Sequence, residues 1–573
     1  MAEYLAPAVY VEETSFRSKS IEGVGTSTAG FVGLTGRGPT GVTPPLLTSF
    51  SDYELYYGGL DDLLIADHPV PNYLAHSVRA FFANGGARLY VARVLGAGAK
   101  SAAANVTDAA TAADSAVVLG ARHPGGASDP VTGANFRVQL RLASLSTTKG
   151  LAARQQPGTL VGSGADFFVM GSNPLKTSAV DTGAAYKALP DTAPVTIVSL
   201  SAVVTDPSGA VVVEYAGLGL DAAHPRYAPL VMGLVPPTTG DALKDPVILT
   251  VGTAVDAFAM RGAVAKNGPT FNLAGGSDGT GAPVDTDWDA ALNLFLGLED
   301  ISIIAAPGSS ALSDPTPASV NQKLIGSAEA RRAYRIAVLD TPPSKEPGDV
   351  RTLKSSIDST YAALYYPWIG VANPLAATDP TQSSILSLPP SGFVCGIYAR
   401  TDVQRGVFKA PANETVTGAL GLQRDVRYGE QEVLNPLGIN CIRSLPNRGI
   451  RVWGARTISS DPEWKYVNVR RYFLYLEASI DQGSQWAVFE PNGERLWANV
   501  RTTISDFLYS EWLGGALLGA TPKEAFFVTC DRSTMSQNDL DNGRLICLVG
   551  VAALKPAEFV IFRIGQMTAD ARD

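Results

Sequence analysis

Hydrophobic and polar positions alternate in short runs along most of this chain, and glycine or proline interrupts them at close intervals. Over 7–13, Val9 and Val11 fall on one face and Tyr10 and Glu12 on the other, a spacing that predicts a strand. The polar stretch 14–20 that follows reads as a connector, with no hairpin partner beside it. The backbone groups of such a strand need a sheet elsewhere, and another molecule can supply one. A strand over 29–34, a helix over 71–84 stopped by Gly85 and Gly86, and a strand over 88–94 come next. From 96 to 269 the chain turns to Ala, Gly, Thr, Ser and Val, with strand patterns over 136–142 and 210–215, and predicts a mostly-β inserted module.

Beyond 285 the pattern alternates between helix and strand. Trp288, Ala291, Leu292, Phe295 and Leu298 have helical spacing, and the apolar runs 301–306 and 336–339 read as buried strands. A further helix is expected to carry Leu353, Ile357, Tyr361 and Leu364. This order implies a parallel or mixed sheet covered on both faces. In the last third, 450–453 reads as a strand, and Tyr466, Val469, Phe473, Leu476 and Ile480 mark a helix face. A second helix follows the turn at Pro491, Asn492 and Gly493, with Leu496, Val500, Ile504, Phe507 and Leu508 on its apolar side. A long strand is expected over 545–554. After Pro556 comes a run, Phe559, Val560, Ile561, Phe562 and Ile564, apolar on both faces and so expected to be buried. Both ends thus carry a strand-forming arm, and two such arms point to strand exchange between subunits.

The 573 residues exceed one hydrophobic core and imply several domains. Charged residues make up only 17% of the chain, which favours a surface buried against copies of itself. A net charge of −9 gives no global field for nucleic acid or an anionic membrane, and no apolar run reaches bilayer length. The first residues lack the pattern of a secretory signal, so folding in the cytoplasm is the expectation. Cys395, Cys441, Cys530 and Cys547 are far apart in sequence and read as buried thiols, with no zinc or redox spacing.

Several segments resemble, in order, the tail sheath proteins of contractile phages and related extracellular injection particles. Near the start these are Tyr10-Val11-Glu12-Glu13 and Asn84-Gly85-Gly86-Ala87-Arg88-Leu89-Tyr90-Val91-Ala92-Arg93-Val94; in the middle, Leu273-Ala274-Gly275-Gly276-Ser277-Asp278-Gly279 and Ile304-Ala305-Ala306-Pro307-Gly308. Further on they are Pro389-Pro390-Ser391-Gly392, Ala399-Arg400-Thr401-Asp402, and Arg405-Gly406-Val407-Phe408-Lys409-Ala410-Pro411-Ala412-Asn413. The last are Gly449-Ile450-Arg451-Val452-Trp453-Gly454-Ala455-Arg456-Thr457 and Pro556-Ala557-Glu558-Phe559. Ala8 departs from the glycine expected there, and the module over 96–269 has no counterpart.

The resemblance implies a structural protein without enzymatic activity or cofactor, which polymerises as a helical sheath of stacked rings. Its partners would be its own copies, an inner tube protein, and baseplate and terminator or cap proteins, with neither nucleic acid nor membrane insertion among its contacts. Assembly in the bacterial cytoplasm would precede action in a virion tail or in a released or anchored extracellular injection particle. Contraction would drive the tube through a target membrane. The expected fold is α/β (α+β) and multidomain: an arm and linker (1–22), inner-domain segments (23–95), the outer β module (96–269), a central domain compared with the subtilisin fold (270–440), a C-terminal domain (441–554) and a second arm (555–573). Val9, Tyr10, Val11, Glu12, Phe559, Val560, Ile561, Phe562 and Ile564 are the candidate subunit-contact residues.

Catalytic readings are weaker. Gly36, Gly38 and Gly41 fit G-x-G-x-x-G, but Pro44 and Pro45 follow where a helix should open. Gly275-Gly276-Ser277-Asp278-Gly279 fits a nucleophile elbow, yet His68, His76, His123 and His224 all precede it, so a Gly-rich turn is expected. The competing function is a secreted or surface hydrolase with a β-rich accessory module; a surface-layer protein would need an export signal. Arg443, Arg448, Arg451, Arg456, Arg470 and Arg471 are expected to pair with acids of a neighbouring subunit or the tube rather than with phosphates.

Overall fold

A nine-stranded mixed sheet organises the larger of two compact units, the one holding Ser27–Arg400 and Pro411–Lys465. The computed structural model describes residues 20–562 except 66–67, 97, 109–110, 126–135, 172–175, 178–183, 206–208, 234–245, 280 and 313–316. Across the sheet the strands are Leu46–Leu47, Arg88–Val94, Thr28–Leu34, Ile303–Ala305, Ile336–Asp340, Ala362–Tyr366, Ile439–Leu445, Gly449–Val452 and Glu414–Thr415. Neighbours from Arg88–Val94 to Ile439–Leu445 run parallel, and each outer strand is antiparallel to its inner neighbour. Segments remote in sequence are joined this way: Ala29 lies opposite Ile303, and Leu364 opposite Ile439.

Both faces of the sheet are covered, which is why its central strands are apolar almost throughout. Val32, Ile304, Leu339, Leu364 and Tyr366 share a core with Trp288 and Leu292 of helix Asp285–Asn293 and with Val320 and Leu324 of helix Pro317–Glu329. On the other face Phe31 meets Phe81 of helix Tyr73–Ala83 edge-on at 5.6 Å. The Tyr365 hydroxyl there shares a 2.7 Å hydrogen bond with Tyr398 of helix Ser391–Arg405. Helix Tyr73–Ala83 begins where Asn72 accepts from the Ala75 amide and ends at Gly85, whose φ of +99° suits glycine.

One expected helix is shorter than its pattern and gives way to a strand. The helix meant to carry Leu353, Ile357, Tyr361 and Leu364 stops at Ser355, and Ala362–Tyr366 lies inside the sheet. A five-residue run buried on both faces fits either periodicity, and tertiary pairing decides.

The expected β-rich module is built on two twelve-residue strands, Arg137–Thr148 and Pro194–Thr205, antiparallel along their whole length. Shorter strands extend this sheet, and a three-stranded sheet of Ala103–Asn105, Val117–Ala121 and Val247–Val251 completes the framework. Val138, Leu140, Leu200, Ala202 and Val204 form its core with Met260 and Val264 of helix Ala257–Lys266. Thr270–Asn272 also pairs with this sheet, so it runs past 269. Entry and exit meet at one point, where the Gly96 amide donates to the Asp278 carbonyl at 3.0 Å. Arg93, almost fully buried, fastens that point by donating to the carbonyls of Gly38 and Pro124 and pairing with Asp278 at 2.6 Å.

Among the described residues the smaller unit comprises 20–26, Thr401–Ala410 and 466–562. The division falls at Tyr466; position 441 lies within the strand Ile439–Leu445 of the large sheet. Two long helices, Val467–Gly483 and Glu494–Leu513, pack around Tyr472, Leu476, Leu496, Val500, Ile504 and Leu508. The second helix closes as a Schellman turn at Gly515, with Ala516 N–H donating to the Glu511 carbonyl at 3.0 Å. The strand expected over 545–554 is only Leu548–Val551, paired with Phe526–Thr529.

Candidate functional site

Helix Val467–Gly483 is buried on nearly every side, including Asn468, Arg470, Arg471 and Ser479. Polar side chains at such depth require partners, and the two ends of the described chain supply several. Towards the helix C-terminus the Val24 amide donates to Ser479 Oγ at 3.1 Å, while Ile21 joins the unit's core. The approach is close: a Cβ at Gly483 would lie 2.6 Å from Ile21 Cγ1, and one at Gly23 would overlap the Tyr475 hydroxyl. At the helix N-terminus Asn468 Nδ2 donates to the carbonyls of Leu554 (3.0 Å) and Phe408 (2.8 Å), and the Tyr466 hydroxyl donates to Glu558 at 3.1 Å. One helix therefore holds the roots of both terminal segments.

Between these contacts lies an ion pair. Arg471 grips Asp402 with both terminal nitrogens, at 2.8 and 2.5 Å, and each side chain is only 3% exposed. Thr26 completes the clamp: its hydroxyl donates to Asp402 at 2.7 Å and its carbonyl accepts from Arg471 at 3.0 Å. Burial raises the Asp402 carboxyl, and the guanidinium, then Thr26, work against that rise. Below the clamp, Glu511 accepts from the hydroxyls of Tyr472 (3.1 Å) and Tyr475 (2.9 Å), tying the second long helix to the first. These contacts tie Thr26, the Asp402 segment and both long helices together.

Past Glu558 the chain presents an apolar run to solvent: Phe559, Val560, Ile561 and Phe562 are 70%, 69%, 80% and 84% exposed. They lie in no strand, so the expected burial is not met within one chain. Val9, Tyr10, Val11, Glu12 and Ile564 lie outside the described residues. Phe527, Leu548 and Val549 of the two-stranded sheet are also exposed, and among the described residues no third strand pairs with it. A short sheet with open edges and apolar side chains is a template for added strands.

The other candidates resolve as local structure. Ser277 Oγ accepts from the Gly279 amide at 3.1 Å in the turn that Arg93 fastens, and the 36–41 glycines lie in a loop. The arginine cluster is largely used within the chain, against the expectation of a neighbour's acids. Arg471 pairs with Asp402, Arg456 donates to the Asn435 carbonyl, Arg443 to Val426 and Gln431, and Arg448 and Arg451 to Asn413. The sequence singled out Arg471 but not Thr26 and Asp402 as its partners, nor Glu511 as the acceptor of Tyr472 and Tyr475; an arginine between apolar helix positions was the available signal. Among the described residues no group of three or more His, Cys, Asp or Glu side chains could hold a metal ion, and no helix is long and apolar enough to cross a membrane.

Residues 281–458 match the phage tail sheath protein central domain, and 459–566 the phage tail sheath C-terminal domain. The chain is 28% identical over 269 residues to a putative prophage major tail sheath protein of Pseudomonas aeruginosa (strain UCBPP-PA14), covering 46% of this chain and 64% of that protein. Against the tail sheath proteins of Burkholderia phage BcepMu and Escherichia phage P2 it covers 37% and 30% of their lengths, so it spans less than two thirds of the curated relatives it matches. In fold it is similar to the helical sheath of the anti-feeding prophage in its contracted state, with a TM-score of 0.54, 22% identity, and coverage of 99% of this chain and 100% of that one. The contracted sheath complex of the extracellular contractile injection system PVC gives a TM-score of 0.53 at 21% identity, covering 100% of this chain and 99% of that one.

Proposed function

The chain belongs to the contractile tail sheath family, and from that premise we propose that it is the sheath subunit of a phage-tail-like injection machine, linked to its neighbours by its terminal arms. The observation that carries this reading is the pairing of a buried root with an unsatisfied tip. The clamp of Thr26, Asp402 and Arg471 and the bonds of Asn468 and Tyr466 would hold the roots from which the arms leave. The exposed run Phe559, Val560, Ile561 and Phe562, with the open sheet Phe526–Thr529 and Leu548–Val551, supplies a strand and a place for one. An arm from each neighbour would add to that sheet, Val9, Tyr10, Val11 and Glu12 from one side and the run through Ile564 from the other. Hydrogen bonding along a strand survives rigid-body shifts of the bodies it joins, provided the connectors are slack.

The sheath would surround an inner tube, rest on a baseplate and end at a terminator protein, and the module around 96–269 would face outward. The subunit would be made and assembled in the bacterial cytoplasm and act in a tail or extracellular particle. No step needs an enzyme: contraction draws on the free energy released as a metastable lattice relaxes into closer subunit packing. Purified protein viewed by negative-stain microscopy should form long hollow cylinders. Discrete monomers that label with a serine-hydrolase probe would overturn the proposal in favour of the hydrolase. Extended particles triggered in buffer stripped of nucleotides and metals should still contract, and contraction only after ATP addition would refute the stored-lattice account.

A further inference from the structure

The two-stranded sheet of the smaller unit holds a second feature. Its register runs from Phe526 opposite Val551 to Thr529 opposite Leu548. Carried one step beyond the strand ends, that register sets Cys530 against Cys547, a proximity their separation in sequence conceals. Residues opposite one another on antiparallel strands have Cα atoms about 4.5 or 5.5 Å apart, inside the roughly 4.4–6.8 Å that a disulfide spans. The two thiols are free, and each shifts the other's ionisation, as close neighbours do. Cys530 is fully buried and Cys547 partly exposed, so an oxidant meets Cys547 first.

We propose that Cys530 and Cys547 form an oxidisable dithiol whose cross-strand disulfide locks this sheet in register. With peroxide as oxidant, the Cys547 sulfur attacks one peroxide oxygen and becomes a sulfenic acid, releasing one water. The Cys530 sulfur then displaces the hydroxyl, forming the S–S bond and releasing a second water. The two thiols lose two electrons and two protons in all, and the peroxide is reduced. Burial raises both thiols, Cys547 up to about 12, which keeps the thiolate scarce and makes the reaction slow near neutral pH and faster in alkali. The bond would persist in an oxidising compartment. It closes the loop 531–546 and so removes freedom from the unfolded chain.

The full chain, reduced and then treated with hydrogen peroxide at alkaline pH, is digested with trypsin and weighed. Arg532 and Arg544 separate the two cysteines into different peptides. The expected product joins those peptides with the loss of two hydrogens, disappears in Cys530→Ser and Cys547→Ser, and persists in the Cys395→Ser/Cys441→Ser chain. Oxidation should also raise the unfolding midpoint of this unit by roughly 5–10 °C. Links through Cys395 or Cys441, a sulfinic acid on Cys547 beside a reduced Cys530, or complete resistance of both thiols would each overturn the proposal. The wild-type peptide map decides this alone if a serine variant fails to fold.

Discussion

Replacing Asp402 with Asn removes one charge from the clamp and takes from Arg471, whose side chain is 3% exposed, the carboxylate that it grips with two nitrogens. Stripping one partner from a buried pair typically costs about 3–5 kcal/mol, because the remaining charge stays desolvated. Asn retains one acceptor, so the lower part of that range applies. The amides of Val467–Gly483 that exchange only when the unit opens provide the assay. Measured by hydrogen exchange and mass spectrometry, they should exchange roughly a hundredfold to a thousandfold faster. Thr26 loses its charged acceptor at the same time, so the N-terminal root should loosen and assembly into cylinders should fall. The control is the double variant Asp402→Leu/Arg471→Met, which removes both charges and should recover most of the protection, since well-packed apolar residues can replace a buried pair at little cost. A change below about tenfold in Asp402→Asn, or a double variant no better protected than the single one, would refute the reasoning.

Changing Val560 and Phe562 to Asp deletes two apolar anchors, each contributing about 1.5–3 kcal/mol when fully buried. Because both are exposed in the single chain, sedimentation should find folded but unassembled subunits, and normal cylinders would rule out this arm as the link. Replacing the module between Gly96 and Asp278, whose backbones meet at 3.0 Å, with a short Gly-Ser linker should leave the large sheet folded and cylinders intact; soluble, folded chains without cylinders would make the module a lattice contact. Asp340 accepts from the Ser391 amide at 2.8 Å and hydroxyl at 2.5 Å, and burial pushes its carboxyl up from 3.8 to about 7. The folded state binds that proton more tightly, so this stabilisation is complete below pH 3.8 and is lost as pH rises through about 7, a change on the order of 4 kcal/mol. Asp340→Asn should flatten the dependence in denaturant titrations from pH 5 to 8, and an unchanged slope would contradict the assignment.

Elements whose pattern matched their surroundings could be read directly from the chain. The run 88–94 is the strand Arg88–Val94, and the apolar side of 494–513 faces the core at Leu496, Val500, Ile504, Phe507 and Leu508. Reading failed where periodicity carries no decision. Ala362–Tyr366 is apolar on both faces and became a strand only because Ile336–Asp340 and Ile439–Leu445 lie beside it. The contraction of the expected 545–554 strand to four residues has a similar cause: Phe526–Thr529 offers only four residues to pair with. Local pattern records what a segment prefers, and pairing length belongs to its partner.

The site was half legible for a related reason. An apolar run after a proline announces that Phe559, Val560, Ile561 and Phe562 need burial, and 69–84% exposure shows that one chain does not provide it. Under the proposed function a second copy would meet that demand, as an added strand does at an open sheet edge. The opposite holds for Arg471. A cluster of arginines looked outward-facing in a chain with more acids than bases, yet Asp402 satisfies Arg471 69 residues away. Charge composition says that partners exist; only the fold says whether they are inside. An arm that moves with a neighbour is useful only if its root does not move with it, and a buried bidentate pair closed by Thr26 meets that condition. If the proposed strand exchange holds, the clamp and the exposed tip act together, and a loosened root should reduce assembly as a blunted tip does.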